Sequence, residues 1–398
     1  MRIGMMADTY KPYMSGITNY IELNKRILEQ AGNEVYVFTF GDTDHEDDER
    51  RVVRSPGLPL TDTGFYLSFQ HNRKAKALIQ SMDVVHVHHP FLSGRLALRY
   101  CPPLNIPIVF TNHTRYDIYA HTYLPGLPES ITETLMETYM PNFCSAVDLV
   151  ISPSPGMATV LRKFKVDAPI VVVPNGVEIE RFKNAQPLAR ADFDFKPEDL
   201  LLVYTGRLAP EKNLSFLLKA FIGVAQTVDN LHLLIVGDGP ERKDLQERAK
   251  SSPVAANIHF TGKVPYEDLP GYLAMCDLFV TASLSEVHPL SVIEAMAAGL
   301  PALGIHSVGV GDTIQDNITG LLARDDLAAF TAKLTRLCLE KSLRKKMSVA
   351  ARKEVERYDI QRTSQTMLGH YQRLIDENGP KRHTIGQQFR AFVERFKA

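Results

Sequence analysis

The feature that most constrains this chain is an alternation that runs through both of its halves: short apolar segments rich in Val and Ile, each followed by a longer amphipathic one. In the first half the short segments are Arg2–Ala7, Glu34–Phe40, Val84–His88, Ile108–Thr111, Asp148–Ser152 and Ile170–Val173. Their apolar residues run on without polar alternation, as strands buried on both faces of a parallel sheet require. Between the first two, Thr18–Gln30 carries a helical stripe of Ile17, Ile21, Leu28 and Ala31, stopped by Gly32. This is a βαβ unit. Pro174-Asn175-Gly176-Val177 and the aperiodic stretch to Asp199 then interrupt the pattern. It resumes with Leu200–Thr205, Leu231–Val236, Ile258–Phe260, Leu278–Thr281 and Ala302–Gly304. The expectation is an α/β chain of two doubly wound Rossmann-like domains, residues 1–174 and 175–357. Facing each other, they would bring the carboxyl ends of both sheets to one cleft, where such folds bind ligands.

Composition excludes several other classes. With 398 residues, 44% hydrophobic and 23% charged, the chain is ordinary globular material. Its 45 basic and 46 acidic residues leave a net charge of -1, so no overall basic field favours nucleic acid. Cys101, Cys144, Cys276 and Cys338 are widely spaced, which suggests neither a thiolate metal site nor a disulfide framework. No apolar run is long enough to span a bilayer, and MRIGMMADTY lacks the apolar core of a signal peptide. A cytoplasmic location is expected, with peripheral attachment at the inner face of the membrane left open. Asp42–Glu49 reads as a solvated acidic loop, and its Asp42-Thr43-Asp44 is a weak metal signal. His86 and His88 share one strand face beside His89, but no Cys or carboxylate stands at ligand spacing, so no metal site is expected there.

Three strand ends of the second domain carry the chemistry. Ser285–Pro301 (SEVHPLSVIEAMAAGLP) follows a strand, and Pro289 suits a first helical turn. That layout turns backbone N–H groups and a positive dipole end toward a phosphate. Glu286 falls on the loop and Glu294 about a turn and a half into the helix, where the two carboxylates could address sugar hydroxyls. The plainer reading is one carboxylate complementing the dipole and another on a solvated face. Gly206-Arg207-Leu208-Ala209-Pro210-Glu211-Lys212-Asn213 also links a strand to a helix, and Arg207 and Lys212 could converge on a diphosphate. Gly237-Asp238-Gly239-Pro240 closes a third strand.

Taken together, E-x7-E ahead of A-M-A-x-G-x-P, G-R-x-x-x-E-K-N upstream and P-N-G-V before it resemble the retaining glycosyltransferases of family 4 in the GT-B class. The resemblance covers nearly the whole chain. It implies that Arg207 and Lys212 hold the donor diphosphate, Glu294 the nucleotide ribose and Glu286 the transferred sugar, with Gly237 at the donor and the backbone of Lys263, Val264 and Pro265 near the base. Val287-His288-Pro289-Leu290 stands where many members have G-F-G-L, so His288, Pro289 and Leu290 bear on which sugar is taken. In the first domain, Asp8–Thr18 is similar to the family's first loop. There Gly16 would let the backbone approach the donor, and Tyr10 would lie on the acceptor side. His113 matches the family's cleft histidine, with Tyr116 and Tyr123 beside it. Tyr358–Leu374 resembles the terminal helix that crosses back to the first domain, placing residues 358–398 outside the second.

In this family the leaving diphosphate can take the acceptor proton on the face being attacked. Neither a protein nucleophile nor a metal cofactor is then expected. Domain closure would exclude water from the donor. The expected partners are a nucleotide sugar, with UDP-glucose first, and a hydroxyl acceptor. The Thr111–Leu124 stretch resembles the acceptor loop of diacylglycerol glycosyltransferases, which implies a lipid acceptor. The tail sets Ile385, Phe389, Phe392, Val393 and Phe396 at helical spacing among Lys381, Arg382, Arg390, Arg395 and Lys397. Such a basic helix suits an anionic membrane surface, and its apolar stripe would equally suit docking on protein. Other readings are a sugar-nucleotide epimerase using the same cleft, a transferase acting on a soluble acceptor, and a nucleotide-sugar-binding regulator without turnover.

Overall fold

The computed structural model describes residues 1–59, 66–68, 70–116, 118 and 129–378, with only the backbone of 67 and 129–135. Two compact units divide the chain: residues 1–175 together with 360 onward, and residues 176–359.

The first unit is built on a seven-stranded sheet. Its strands are β1 (Arg2–Met6), β2 (Glu34–Phe40), β3 (Val52–Ser55), β6 (Val84–Val87), β7 (Ile108–Thr111), β8 (Leu149–Ser152) and β9 (Ile170–Val172). The small antiparallel ladder of β4 (Leu58–Pro59) and β5 (Tyr66–Leu67) lies outside it. The order is β3-β2-β1-β6-β7-β8-β9, and every pairing is parallel. β6 and β7 are buried along their whole length, which is why they are apolar except for His86 and Thr111. On one face, Ile21 and Leu28 of the helix Gly16–Gln30 pack with Met367, Tyr371 and Leu374 of the helix Ile360–Asn378 over Ile3, Met5, Val37 and Val109. Ser364 of that terminal helix hydrogen-bonds Asn24 at 3.2 Å. The terminal helix therefore returns to the first unit.

The second unit holds a six-stranded parallel sheet. Its strands are β10 (Leu200–Thr205), β11 (Leu231–Val236), β12 (Ile258–Gly262), β13 (Leu278–Val280), β14 (Ala302–Ile305) and β15 (Gly320–Ala323), in the order β12-β11-β10-β13-β14-β15. Alternate strand residues serve two cores. Leu202, Leu233, Leu278 and Leu303 meet the helices Leu214–Ala225 and Leu327–Leu339 on one face. Leu201, Leu234, Phe279 and Ala302 meet Leu290–Ala297 and Lys341–Glu354 on the other.

Several expectations are corrected. β3 and β15 are edge strands absent from the sequence reading. The acidic loop is not simply solvated: Asp47 accepts from Arg54 Nε at 2.9 Å, and Glu49 pairs with Lys11 at 2.7 Å. Asp42 accepts from the backbone N–H of Asp44 at 2.9 Å, a local turn contact. All four cysteines are free and buried. Among the described residues no helix is long and apolar enough to cross a membrane. Asp117, His121, Tyr123 and the tail Lys381–Ala398 lie outside the described residues.

Candidate active site

Each sheet has one point where the strand order reverses, so that successive helices leave to opposite sides and their loops part. In open α/β sheets this is where ligands are held. In the second unit it falls between β10 and β13, and the two loops leaving those strands carry Arg207, Lys212 and Glu286.

The β10 loop passes through Gly206 (φ +146°) and a short 3-10 turn, Pro210–Lys212, and enters its helix through Asn213 in the left-handed conformation. Two serines of the β13 loop fasten the loops together. Ser283 Oγ donates to the Glu211 carbonyl at 3.3 Å, and Ser285 Oγ donates to the same oxygen at 3.1 Å. Lys212 Nζ then donates to Glu286 Oε1 at 2.6 Å. Both side chains are partly exposed, and Arg207 of the same β10 loop is exposed. A second constraint acts from behind, where Gly309 (φ +77°) lies so close to the Glu286 carbonyl that a β-carbon there would collide with it. The carboxylate and the lysine predicted to serve one substrate are thus adjacent, although 74 positions separate them.

Glu294 is the fifth residue of the helix Leu290–Ala297, which begins one place after Pro289. It is neither a dipole-complementing residue of the first turn nor solvated, being 5% exposed. Its Oε1 accepts from the Tyr266 hydroxyl at 2.9 Å. Burial pushes the carboxyl up to about 7, against the opposing pull of that hydrogen bond and of the Arg181 charge. Arg181 lies over the Tyr266 ring, 5.0 Å from its centroid. Tyr266 and Arg181 were not foreseen, because neither belongs to a local motif.

The other residues of this unit divide by burial. Lys263 is exposed just after β12, while Val264 and Leu290 are partly buried against the core. His288 is turned inward, 5% exposed, its ring edge-on to Tyr358 at 5.0 Å; burial and the Arg357 charge hold it down at about 3. Gly237 has a packing reason to be glycine, since a β-carbon would strike the Gly206 carbonyl oxygen.

In the first unit the sheet reverses between β1 and β6. After β1, Tyr10 is 2% exposed, and its hydroxyl donates to Glu49 at 3.0 Å. That contact ties Tyr10 to the acidic loop. Gly16 is exposed at the first position of its helix, where Ser15 Oγ caps Thr18 N–H at 3.1 Å, and a β-carbon would meet nothing within 4 Å. After β6, His88 Nδ1 stands 3.0 Å from His113 Nε2, and Tyr20 packs edge-on against His113 at 4.7 Å. Burial, with the His86 and His89 rings nearby, holds His113 well below the usual imidazole range. Tyr116 is buried, edge-on to Phe91 at 5.5 Å. His86 is occupied at both ring nitrogens, by Tyr371 and Thr111. Among the described residues no three His, Cys, Asp or Glu converge as a metal set.

Two doubly wound α/β units, one of them presenting a cation and a carboxylate from the loops at its switch point, match the GT-B class of glycosyltransferase folds. Family models agree. "Glycosyltransferase Family 4" matches residues 14–181 and "Glycosyl transferases group 1" matches residues 185–354. The chain is 30% identical to the alpha-monoglucosyldiacylglycerol synthase of Streptococcus pneumoniae over 81% of its own length and 75% of that protein. It is 28% identical to a GDP-mannose-dependent alpha-mannosyltransferase of Mycolicibacterium smegmatis, over 94% and 98% of the two chains. Among solved structures, the sucrose-phosphate synthase of Thermosynechococcus elongatus shares the fold with a TM-score of 0.77 at 20% identity, covering 94% of this chain and 99% of that one. The chain belongs to the family 4 glycosyltransferases.

Proposed function

We propose that the protein moves a hexosyl unit, glucose from UDP-glucose, to the free hydroxyl of a membrane diacylglycerol with retention at the anomeric carbon. The observation that carries this reading is the Lys212–Glu286 pair at the switch point, which sets a diphosphate-binding cation beside a carboxylate able to accept from sugar hydroxyls. The glucosyl unit, the α-linkage and the lipid acceptor are supported by the name of the S. pneumoniae relative.

In this mechanism the bond between the anomeric carbon and the diphosphate oxygen breaks as the acceptor oxygen bonds to the same face. The acceptor proton passes to the departing phosphate oxygen. Arg207 and Lys212 neutralise the charge that grows on the diphosphate, the moment at which a positioned cation contributes most. Glu294 accepts from the ribose hydroxyls, Glu286 from the sugar, and His113 contacts the substrate from the first unit. The lysine and arginine fill the place a divalent ion would take, so turnover is expected to survive a chelator. Attachment is peripheral, at the cytoplasmic membrane surface.

The test supplies full-length protein with UDP-glucose and vesicles containing diacylglycerol, and reads the product by proton NMR. An α-glucosyl lipid and free UDP are expected. A β-linked product would refute retention. The M. smegmatis relative makes GDP-mannose the donor to run in parallel, and efficient transfer from it alone would overturn the donor assignment. An epimerised sugar nucleotide formed without acceptor would overturn the transferase reading itself.

A further inference from the structure

We propose that His88 is a positioning residue for His113: it donates its Nδ1–H to His113 Nε2, which fixes the His113 proton on Nδ1 and makes that nitrogen a donor to a substrate oxygen. The inference rests on the reading above that His113 faces the substrate.

The argument begins with the strand. His86 lies in β6 and His88 just beyond its end, so both rings fall on one face of the sheet. Both residues are fully buried, and their rings lie 4.2 Å apart. His86 is locked from two directions. Its Nδ1 stands 2.6 Å from the Tyr371 hydroxyl of the returning terminal helix, and its Nε2 stands 2.7 Å from Thr111 Oγ1. The His88 ring, seated against this fixed neighbour, directs Nδ1 to His113 Nε2 at 3.0 Å. Tyr20 closes the other side, edge-on to both rings at 5.6 and 4.7 Å.

A hydrogen bond between two neutral imidazoles needs one donor and one acceptor, and the remaining nitrogen of His88 decides which is which. His88 Nε2 is buried and has no partner among the described residues. Were His113 the donor, the single proton of His88 would sit on that nitrogen as an orphaned buried N–H. Were His88 the donor, only an unfilled acceptor would be buried, and native structures tolerate this much better than an orphaned donor. Burial and the surrounding imidazoles keep both rings neutral. The proton of His113 is therefore on Nδ1, and the ring is a donor of fixed sense.

Nitrogen-15 NMR of histidine-labelled protein separates the two tautomers directly. His113 is expected to be protonated on Nδ1 near neutral pH, and protonation on Nε2 would overturn the proposal. His88→Leu should release that preference and lower kcat by on the order of tenfold to a hundredfold, the scale at which a lost ring-orienting partner acts. His88→Asn, whose amide nitrogen can take the place of Nδ1, should restore both the tautomer and most of the rate. Leu and Asn variants with equal rates and an unchanged tautomer would refute it. The NMR readout needs no substrate, so it stands apart from the proposed function. Normal turnover in His113→Ala would overturn the catalytic consequence alone.

Discussion

Glu294→Gln should make the protein more stable and worse at binding nucleotide. The carboxyl is raised from its ordinary 4.5 to about 7 by burial. A carboxyl raised in the folded state lends its full stability at low pH, where folded and unfolded chains are both protonated. As pH climbs past 4.5 the unfolded chain ionises and the folded chain does not, so stability falls until pH passes about 7. The rise from 4.5 to about 7 makes the cost about 3 kcal/mol above neutrality. Glutamine keeps Oε1 as acceptor for the Tyr266 hydroxyl and cannot ionise. The variant should therefore match wild type near the acid end and exceed it by up to about 3 kcal/mol at about pH 8. Urea unfolding across this range measures the gain, and titration calorimetry with UDP measures the lost affinity. Parallel pH–stability curves for the two proteins would show that Glu294 carries no such ionisation penalty.

Arg207→Ala and Lys212→Ala should each cost about 2 to 4 kcal/mol of transition-state stabilisation in kcat/KM. The partly exposed Lys212–Glu286 pair contributes no more than about 1 kcal/mol to the fold. Near-normal kcat/KM in either variant would remove that residue from the site. Gly16→Ala introduces a β-carbon that meets nothing within 4 Å, at a first-turn position without left-handed backbone. It should raise stability by about 0.4 to 1 kcal/mol while slowing transfer; unchanged kinetics would make Gly16 a plain turn residue. Deleting residues 380–398 should abolish flotation with anionic vesicles, since each basic residue at the surface is worth roughly 1 kcal/mol. Equal flotation of the truncated chain would place membrane contact elsewhere.

The fold was legible where burial is two-sided. A strand such as Ile108–Thr111 has no solvent face, so Ile108, Val109 and Phe110 form an unbroken apolar run. Two of the four edge strands, β3 and β15, are harder to read. Val52–Ser55 carries Arg54, and Gly320–Ala323 is Gly-Leu-Leu-Ala, without a β-branched residue. Gly320 is set by packing, because a β-carbon there would strike the Ala302 carbonyl oxygen. The loops holding Arg207, Lys212 and Glu286 could be found because a strand, a Gly or Pro turn and a helix start lie in sequence order. The partners of Glu294 and His113 could not. Tyr266 reaches Glu294 across 28 positions and His88 reaches His113 across 25. Only the crossovers bring such pairs together.

The buried polar groups differ in how fully the fold satisfies them. Asp8 is buried yet satisfied, accepting from the backbone N–H of Ser93 at 2.7 Å and of Leu92 at 3.4 Å, and so it secures the start of the helix Leu92–Tyr100. His86 is likewise occupied at both nitrogens. Glu294 and His88 differ. The first is held where its charged form is disfavoured, and the second buries a nitrogen with no partner among the described residues. A sequence selected for stability alone would relieve both, with an amide at one and an apolar residue at the other. Glu294 is itself assigned here to the donor ribose, and His88 lies beside His113, which is assigned to the substrate.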